Sequence, residues 1–409
     1  MRKVELLAPA GDLEKLKIAI TYGASAVYFG GESFSLRAGA GNMTLEEIQE
    51  GVLYAHERGA KAYLAVNIFP HNEDIEPLKS YLSQMISIPI DAYIVSDPGV
   101  LQLIREIDPK REIHLSTQAN ATNYMTTNFW FNQGIKRIVL ARELTFSEIR
   151  EIKDKATLEN EIEAFVHGAM CISYSGRCLL SNFMVQRDAN QGACAHPCRW
   201  NYSLVEEKRP GEYFPIEEDS RGTYLLNSRD LCMIEHIPEL IKSGVTSFKI
   251  EGRMKSVFYV ATVVNAYRKA LDAYEDNPEN YSFKHEWLEE VSKVSHREFT
   301  TGFYFNKPTH KDQNYQTSSY TRDYSFVGMV KEYDPESKIA IIEQRNKLIV
   351  GDEIEVMGPN RVFFSQRIVE MLNENGESIE EAPHPQQIFS MKMSFPVKAQ
   401  DILRKKKEV

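Results

Sequence analysis

Apolar residues in the first two thirds of the chain fall into short runs, separated by stretches in which they recur with a helical period. Four runs follow a glycine: Tyr22-Gly23-Ala24 precedes SAVYFG, Arg58-Gly59-Ala60 precedes KAYLAVN, Gln133-Gly134-Ile135 precedes KRIVLAR, and Ser243-Gly244-Val245 precedes TSFKIEGR. A glycine so placed ends a helix and delivers the chain into a buried strand. VELLAP near residue 5, DAYIVSD from Asp91, EIHLSTQA from Glu112 and EIEAFVHG from Glu161 bring the predicted strands to eight, the number that closes a barrel. Between them Leu13, Leu16 and Ile20, then Ile48, Val52 and Ala55, then Val260, Val263, Val264, Tyr267 and Leu271 mark helices, and Thr44 with Glu47 forms a capping box. The alternation predicts an α/β fold, a TIM-type (β/α)8 barrel over residues 1–305. An open doubly wound sheet would favour a G-x-G-x-x-G loop after the first strand, and LAPAGD has a single glycine.

The rhythm breaks once. Between His167, ending the seventh strand, and Thr246, before the eighth, lies a long insertion, centred on residues 169–235, that carries all five cysteines. It leaves the C-terminal end of a strand, the face on which barrel enzymes place their active sites. Polar residues 306–325 predict a linker, and residues 326–409 a small antiparallel β-barrel built from segments such as FVGMVKEY, KIAIIEQR and GDEIEVMG. Arg404-Lys405-Lys406-Lys407 at the end is expected to be a solvated tail.

With 43% hydrophobic and 26% charged residues the chain has the means to bury a core. Its net charge of −10 argues against a surface coated with positive charge for sequence-independent nucleic-acid binding, though not against a local basic patch. The first residues lack the apolar core of a secretion signal, and no stretch is long and apolar enough to span a bilayer, so the expected location is cytoplasmic with no membrane partner.

Cys171, Cys178, Cys194 and Cys198 are separated by six, fifteen and three residues, with Cys232 further on. Only Cys194 and Cys198 have the spacing of a zinc knuckle, whereas irregular spacing suits a cubane iron–sulfur cluster. Cluster, zinc and unliganded thiols all stay open at this level, and Cys232 ahead of an apolar helical pattern reads as a core cysteine. Polar residues at the predicted strand ends are candidates for a pocket: Asn67, Asp97, Gln118, Asn120, Arg142, His167, Glu251 and Arg253. Of these His167, Asn67, Gln118 and Glu251 are the candidate catalytic residues, His167 as proton donor or as a supporting hydrogen-bond partner.

The segment EAFVHGAMCISYSGRCLLS resembles the signature of the collagenase-like peptidase family U-thirty-two, and LAPAG, AVYFGG, STQANATN and FKIEGRMKS resemble its other recurrent blocks. The resemblance runs from residue 6 to about 256. It implies an iron–sulfur protein that hydroxylates without molecular oxygen. The chain's size and C-terminal domain look most like the subfamily that converts the tRNA wobble uridine to 5-hydroxyuridine with prephenate as co-substrate. The family's first three [4Fe–4S] ligands map onto Cys171, Cys178 and Cys194, and the fourth onto Cys232 in preference to Cys198. Two prephenate carboxylates would call for guanidinium partners, with Arg37, Arg142, Arg177 and Arg253 the candidates. Arg177, Arg187, Arg199 and Trp200 would flank the cluster with charge and a stacking surface. The resemblance also implies tRNA and a paralogous subunit as partners. The peptidase suggested by the family name is one alternative, though H-E-x-x-H and G-x-S-x-G are both missing, and a non-catalytic subunit of a hydroxylating heterodimer is the other.

Overall fold

The computed structural model describes residues 3–35, 42–157, 161–170, 178–187, 189, 192–200, 203–204, 214–215, 229–306, 323–359 and 361–407. Its first part is a closed parallel barrel. The strands are β1 (Glu5–Pro9), β2 (Ala26–Phe29), β3 (Lys61–Val66), β4 (Ala92–Val95), β5 (Glu112–Leu115), β6 (Arg137–Val139) and β7 (Glu161–Ala169). After the insertion, which contributes the short pair β8 (Ser203–Leu204) and β9 (Phe214–Pro215) and then β10 (Asp230–Cys232), comes the eighth barrel strand, β11 (Ser247–Ile250). β11 pairs in parallel with both β7 and β1 and closes the ring. All eight predicted strands are therefore in place.

The connecting helices are α1 (Leu13–Thr21), α2 (Leu45–Glu57), α3 (Ile75–Met85), α4 (Pro98–Ile107), α5 (Tyr124–Asn132) and α6 (Phe146–Asp154). Then α7 (Leu180–Val185) lies in the insertion, α8 (Ile237–Lys242) leads to β11, and α9 (Val257–Asp276) and α10 (His285–Ser292) follow it. Local sequence starts several of them. Asp12 caps α1 through Lys15 N–H at 2.8 Å, and Thr44 with Glu47 makes the expected capping box on α2. No helix among the described residues is long and apolar enough to cross a membrane.

Leu7, Ala26, Tyr28, Tyr63, Ala92 and Ile94 point inward and fill the barrel lumen. Beneath them, at the N-terminal ends of the strands, Arg137 bonds Glu5, Glu161 (2.6 Å) and Glu163 (3.2 Å), and Lys249 bonds Glu163 at 2.7 Å. This charge network plugs the bottom of the barrel.

The strand β12 (Phe299–Thr300) adds to β10 outside the ring. The second domain comprises β13 (Tyr324–Asp334), β14 (Ile339–Gln344), β15 (Leu348–Ile349), β16 (Glu353–Met357), β17 (Phe364–Arg367), β18 (Met371–Leu372), β19 (Ser378–Ile379), β20 (Glu381–Ala382), β21 (Ile388–Lys392) and β22 (Ile402–Lys406). Eight form one antiparallel sheet in the order β17-β16-β22-β13-β14-β21-β18-β19, and β15 pairs with β20. The antiparallel barrel is thus realised as a half-barrel, with β17 and β19 at its two edges. Register shifts along β13 bend the sheet around its own core of Val330, Ile342, Phe389 and Leu403.

Two expectations are corrected here. Residues 404–406 are strand rather than solvated tail, because Arg404 is fully buried and held by Glu290 (2.8 Å) and Glu355 (2.9 Å). The second domain also begins at Tyr324, two residues before the predicted start, because Tyr324 and Ser325 pair with Lys406 and Lys405. Arg404 joins the two domains, as does Tyr22, whose hydroxyl lies 3.1 and 3.0 Å from the carbonyls of Met357 and Gln400. Helix α9, packed against the barrel on one side and touched by Phe326 and Met357 on the other, is apolar nearly all round for that reason.

Candidate active site at the barrel mouth

Side chains alternate along a strand, so the residues that continue the lumen-facing positions beyond Tyr63, Ile94 and His114 are Asn67, Ser96 and Ser116. They meet at the C-terminal mouth. Asn67 Nδ2 donates to Gln118 Oε1 at 2.8 Å and lies 3.4 Å from Ser116 Oγ, which itself donates to Gln118 Oε1 at 3.3 Å. Ser96 Oγ donates to the Asn67 carbonyl at 3.1 Å. Two donors on Oε1 fix the Gln118 carboxamide with its nitrogen turned away from them. Asn120, in the left-handed conformation (φ 52°), donates from Nδ2 to the Gln118 carbonyl at 3.0 Å.

Across the mouth, Arg142 lies 3.7 Å from Glu251 and stacks over Phe165 at 3.9 Å. The Tyr28 hydroxyl donates to the Ile250 carbonyl at 3.0 Å and lies 3.4 Å from Glu251 Oε2. Buried Arg253 donates to Ser35 (3.1 Å) and Asn42 (3.2 Å). Glycine is required at residue 30 for this, because a Cβ there would collide with both Ser35 Oγ and the Arg253 guanidinium.

Two strand-end candidates do other work. Asp97 caps α4, accepting from Gly99 N–H at 2.8 Å and Val100 N–H at 3.0 Å. A bulge between β7 and β11 turns His167 to the outside of the ring, where its imidazole packs on Tyr259, Tyr267 and Phe299. Burial is the main reason its pKa falls to about 3, with Asp230 pulling the other way. The ring is therefore neutral, with Nδ1 3.4 Å from the Tyr267 hydroxyl. Cys232 sits opposite His167 on β10, and burial pushes its thiol up to about 12. Asp230 on the same strand pairs with buried Arg297 at 2.7 Å.

In the insertion, Ser181 at the start of α7 accepts from Ala195 N–H at 3.0 Å, which ties the segment bearing Cys194 and Cys198 to the helix that follows Cys178. The His196 N–H points at Cys194 Sγ, 3.4 Å away. Cys178, Cys194 and Cys198 are half-buried, and neither they nor Cys232 are joined in disulfides. Cys171, Arg37 and Arg177 lie outside the described residues. Among the described residues no three metal-ligating side chains converge. Thiols unbonded to one another are a donor set that both zinc and an iron–sulfur cluster accept.

Sequence reasoning found Asn67, Gln118, Arg142, Glu251 and Arg253, but not Tyr28, Ser35, Asn42, Ser96 or Ser116. The lumen alternation carries a signal for Tyr28, Ser96 and Ser116. Ser35 and Asn42 are loop residues with none.

The fold and this mouth define a barrel protein with polar side chains at its mouth and a cysteine-bearing insertion after β7. Residues 11–314 match peptidase family U32 and residues 322–404 match the peptidase family U32 C-terminal domain, so the chain belongs to that family. It is 44% identical to the Bacillus subtilis "tRNA hydroxylation protein P1", covering 99% of this chain and 96% of the relative. To the Escherichia coli "tRNA hydroxylation protein P" it is 40% identical, over 94% and 92%. A Porphyromonas gingivalis relative named "Collagenase" is 34% identical, over 96% and 94%.

Proposed function

We propose that this chain, alone or with a paralogous subunit, hydroxylates a tRNA nucleoside: the wobble uridine, to 5-hydroxyuridine, without molecular oxygen and with prephenate as co-substrate. The observation that carries the reading is a hydrogen-bonded polar mouth on a barrel whose cysteine-bearing insertion leaves the C-terminal end of β7. The names of the relatives support the reaction class.

A base inside a folded RNA must leave its stack to be modified on the ring. The mouth offers such a base amide and hydroxyl groups from Asn67, Gln118, Ser96 and Ser116, with Tyr28 and Phe165 nearby. Trp200 in the insertion and Met254 after β11, both exposed, suit contacts to neighbouring nucleotides. Arg142 and Arg253 suit a dicarboxylate, Arg142 by exchanging its contact with Glu251 for a substrate carboxylate. A [4Fe–4S] cluster would be held by Cys171, Cys178, Cys194 and either Cys232 or Cys198, and would supply electron transfer. Glu251, beside the Tyr28 hydroxyl and Arg142, is the carboxylate placed to hold or move a proton at Oε2.

The test is the nucleoside profile of tRNA from a strain lacking this chain and its paralogues, with and without the gene restored. Return of 5-hydroxyuridine or its derivatives supports the reading, and an unchanged profile removes it. Anaerobically purified protein should contain about four iron and four sulfide per chain, lost in Cys178→Ala. The collagenase-named relative favours a peptidase as second reading, which gelatin cleavage lost in Glu251→Gln would support.

A further inference from the structure

Two side-chain atoms at the mouth are buried and lack a hydrogen-bond partner among the described residues: Gln118 Nε2, a donor, and Asn120 Oδ1, an acceptor. Gln118 as a whole is 2% exposed. An amide left unsatisfied in this way costs about 1 to 3 kcal/mol, so it calls for a role such as completion by a ligand or a bound water. The amide orientation is not arbitrary. Asn67 and Ser116 both bond Gln118 Oε1, at 2.8 and 3.3 Å, which leaves Nε2 as the outstanding atom. In Asn120 the Nδ2 is used on the Gln118 carbonyl at 3.0 Å, which leaves Oδ1 outstanding. The two amides lie on one turn, with the left-handed Asn120 closing the 3-10 segment that bears Gln118.

We infer that Gln118 Nε2 and Asn120 Oδ1 together read the base that enters the mouth, donating to a ring carbonyl and accepting from the N–H beside it. A donor and an acceptor on one turn match the edge of a nucleobase, in which C=O and N–H are adjacent. They do not complement a carboxylate, which only accepts. The pair is thus assigned to the nucleic-acid substrate, and the carboxylate co-substrate falls to the guanidinium groups opposite. This assignment rests on the proposed hydroxylation and specifies how that site selects its base.

Gln118→Glu is the sharpest probe, because it keeps Oε1 for Asn67 and Ser116 and exchanges only the donor for an acceptor. Asn120→Gly removes the acceptor and retains the left-handed backbone. Each variant, in the full chain, is used to complement the strain lacking this gene and its paralogues, alongside wild type. Protein level, melting temperature and iron content are measured on the same preparations. The expected result is hydroxylated nucleoside reduced at least about tenfold in both variants, with iron content unchanged and the melting temperature within a few degrees of wild type. Full modification by Gln118→Glu would overturn the inference. So would loss in Gln118→Glu with full activity in Asn120→Gly, which fits a carboxylate partner instead. Loss accompanied by a collapse in melting temperature in both variants would assign the pair to a structural buried water and also overturn it. If wild type itself restores nothing, the hydroxylation reading fails, a result separate from these.

Discussion

One barrel carries polar side chains at both ends, and the two ends are finished differently. At the bottom, Arg137 and Lys249 are enclosed by Glu5, Glu161 and Glu163, every charge facing an opposite one within a single buried network. At the mouth, amides and hydroxyls are held in place by one another, yet donor and acceptor atoms at Gln118 and Asn120 are left over. The ionic groups at the bottom are completed within their own layer, although His114 Nδ1 in the lumen is buried without a hydrogen-bond partner. At the mouth the outstanding atoms are a donor and an acceptor on a single turn, and that combination is the difference between the two ends.

The comparison breaks most readily at the bottom. Arg137→Met takes the guanidinium away from Glu5, Glu161 and Glu163 and leaves Lys249 on Glu163, and urea unfolding should register a loss of about 3 to 5 kcal/mol. A change below about 1 kcal/mol would mean that the network does not hold the barrel together. Arg404→Met, at the junction of the domains, should cost roughly 2 to 4 kcal/mol by uncovering Glu290 and Glu355. Limited proteolysis then releases the C-terminal domain before the barrel unfolds.

Acid acts on both ends through histidine. His114, in the lumen, and His167, beside the mouth's last strand, both have pKa values pushed below the ordinary 6.5, chiefly by burial. The unfolded chain therefore takes up more protons than the folded one below pH 6.5. The stabilisation is complete above that pH and lost as pH falls towards 3. The unfolding free energy from urea titration should be flat above pH 6.5 and fall by roughly 1.4 kcal/mol per pH unit for each ring between pH 6.5 and 5, and His167→Gln should flatten that slope. An unchanged slope in that variant would show that the ring is not buried neutral. The smallest effect belongs to the mouth: Asn120→Gly should alter stability by no more than about 0.5 kcal/mol, since glycine accepts φ 52° without strain. A larger loss would place Asn120 with the architecture.

Much of this was legible beforehand. Glycines at 23, 59, 134 and 244 all adopt positive φ and all precede barrel strands, as their positions between helical and apolar runs imply. The insertion after β7 announced itself by length and cysteine content. Asn67, Gln118, Arg142, Glu251 and Arg253 were found because strand ends in such a barrel converge. His167 and Asp97 were misjudged in orientation for local reasons, a bulge in one case and a helix cap in the other. Arg404 was misjudged because a run of four cations looks solvated until Glu290 and Glu355, distant in sequence, are brought to it.

Periodicity, helix stops and caps are properties of neighbouring residues, so the chain by itself determined eight strands, their helices, a β-rich second domain and the segment that carries the cysteines. Which buried polar atoms find partners depends on residues separated by dozens or hundreds of positions. Asn67 with Gln118, Arg142 with Glu251 and Arg253 with Ser35 became pairs only when the ring closed, and that closure set the paired charges at the bottom apart from the outstanding amide atoms at the mouth.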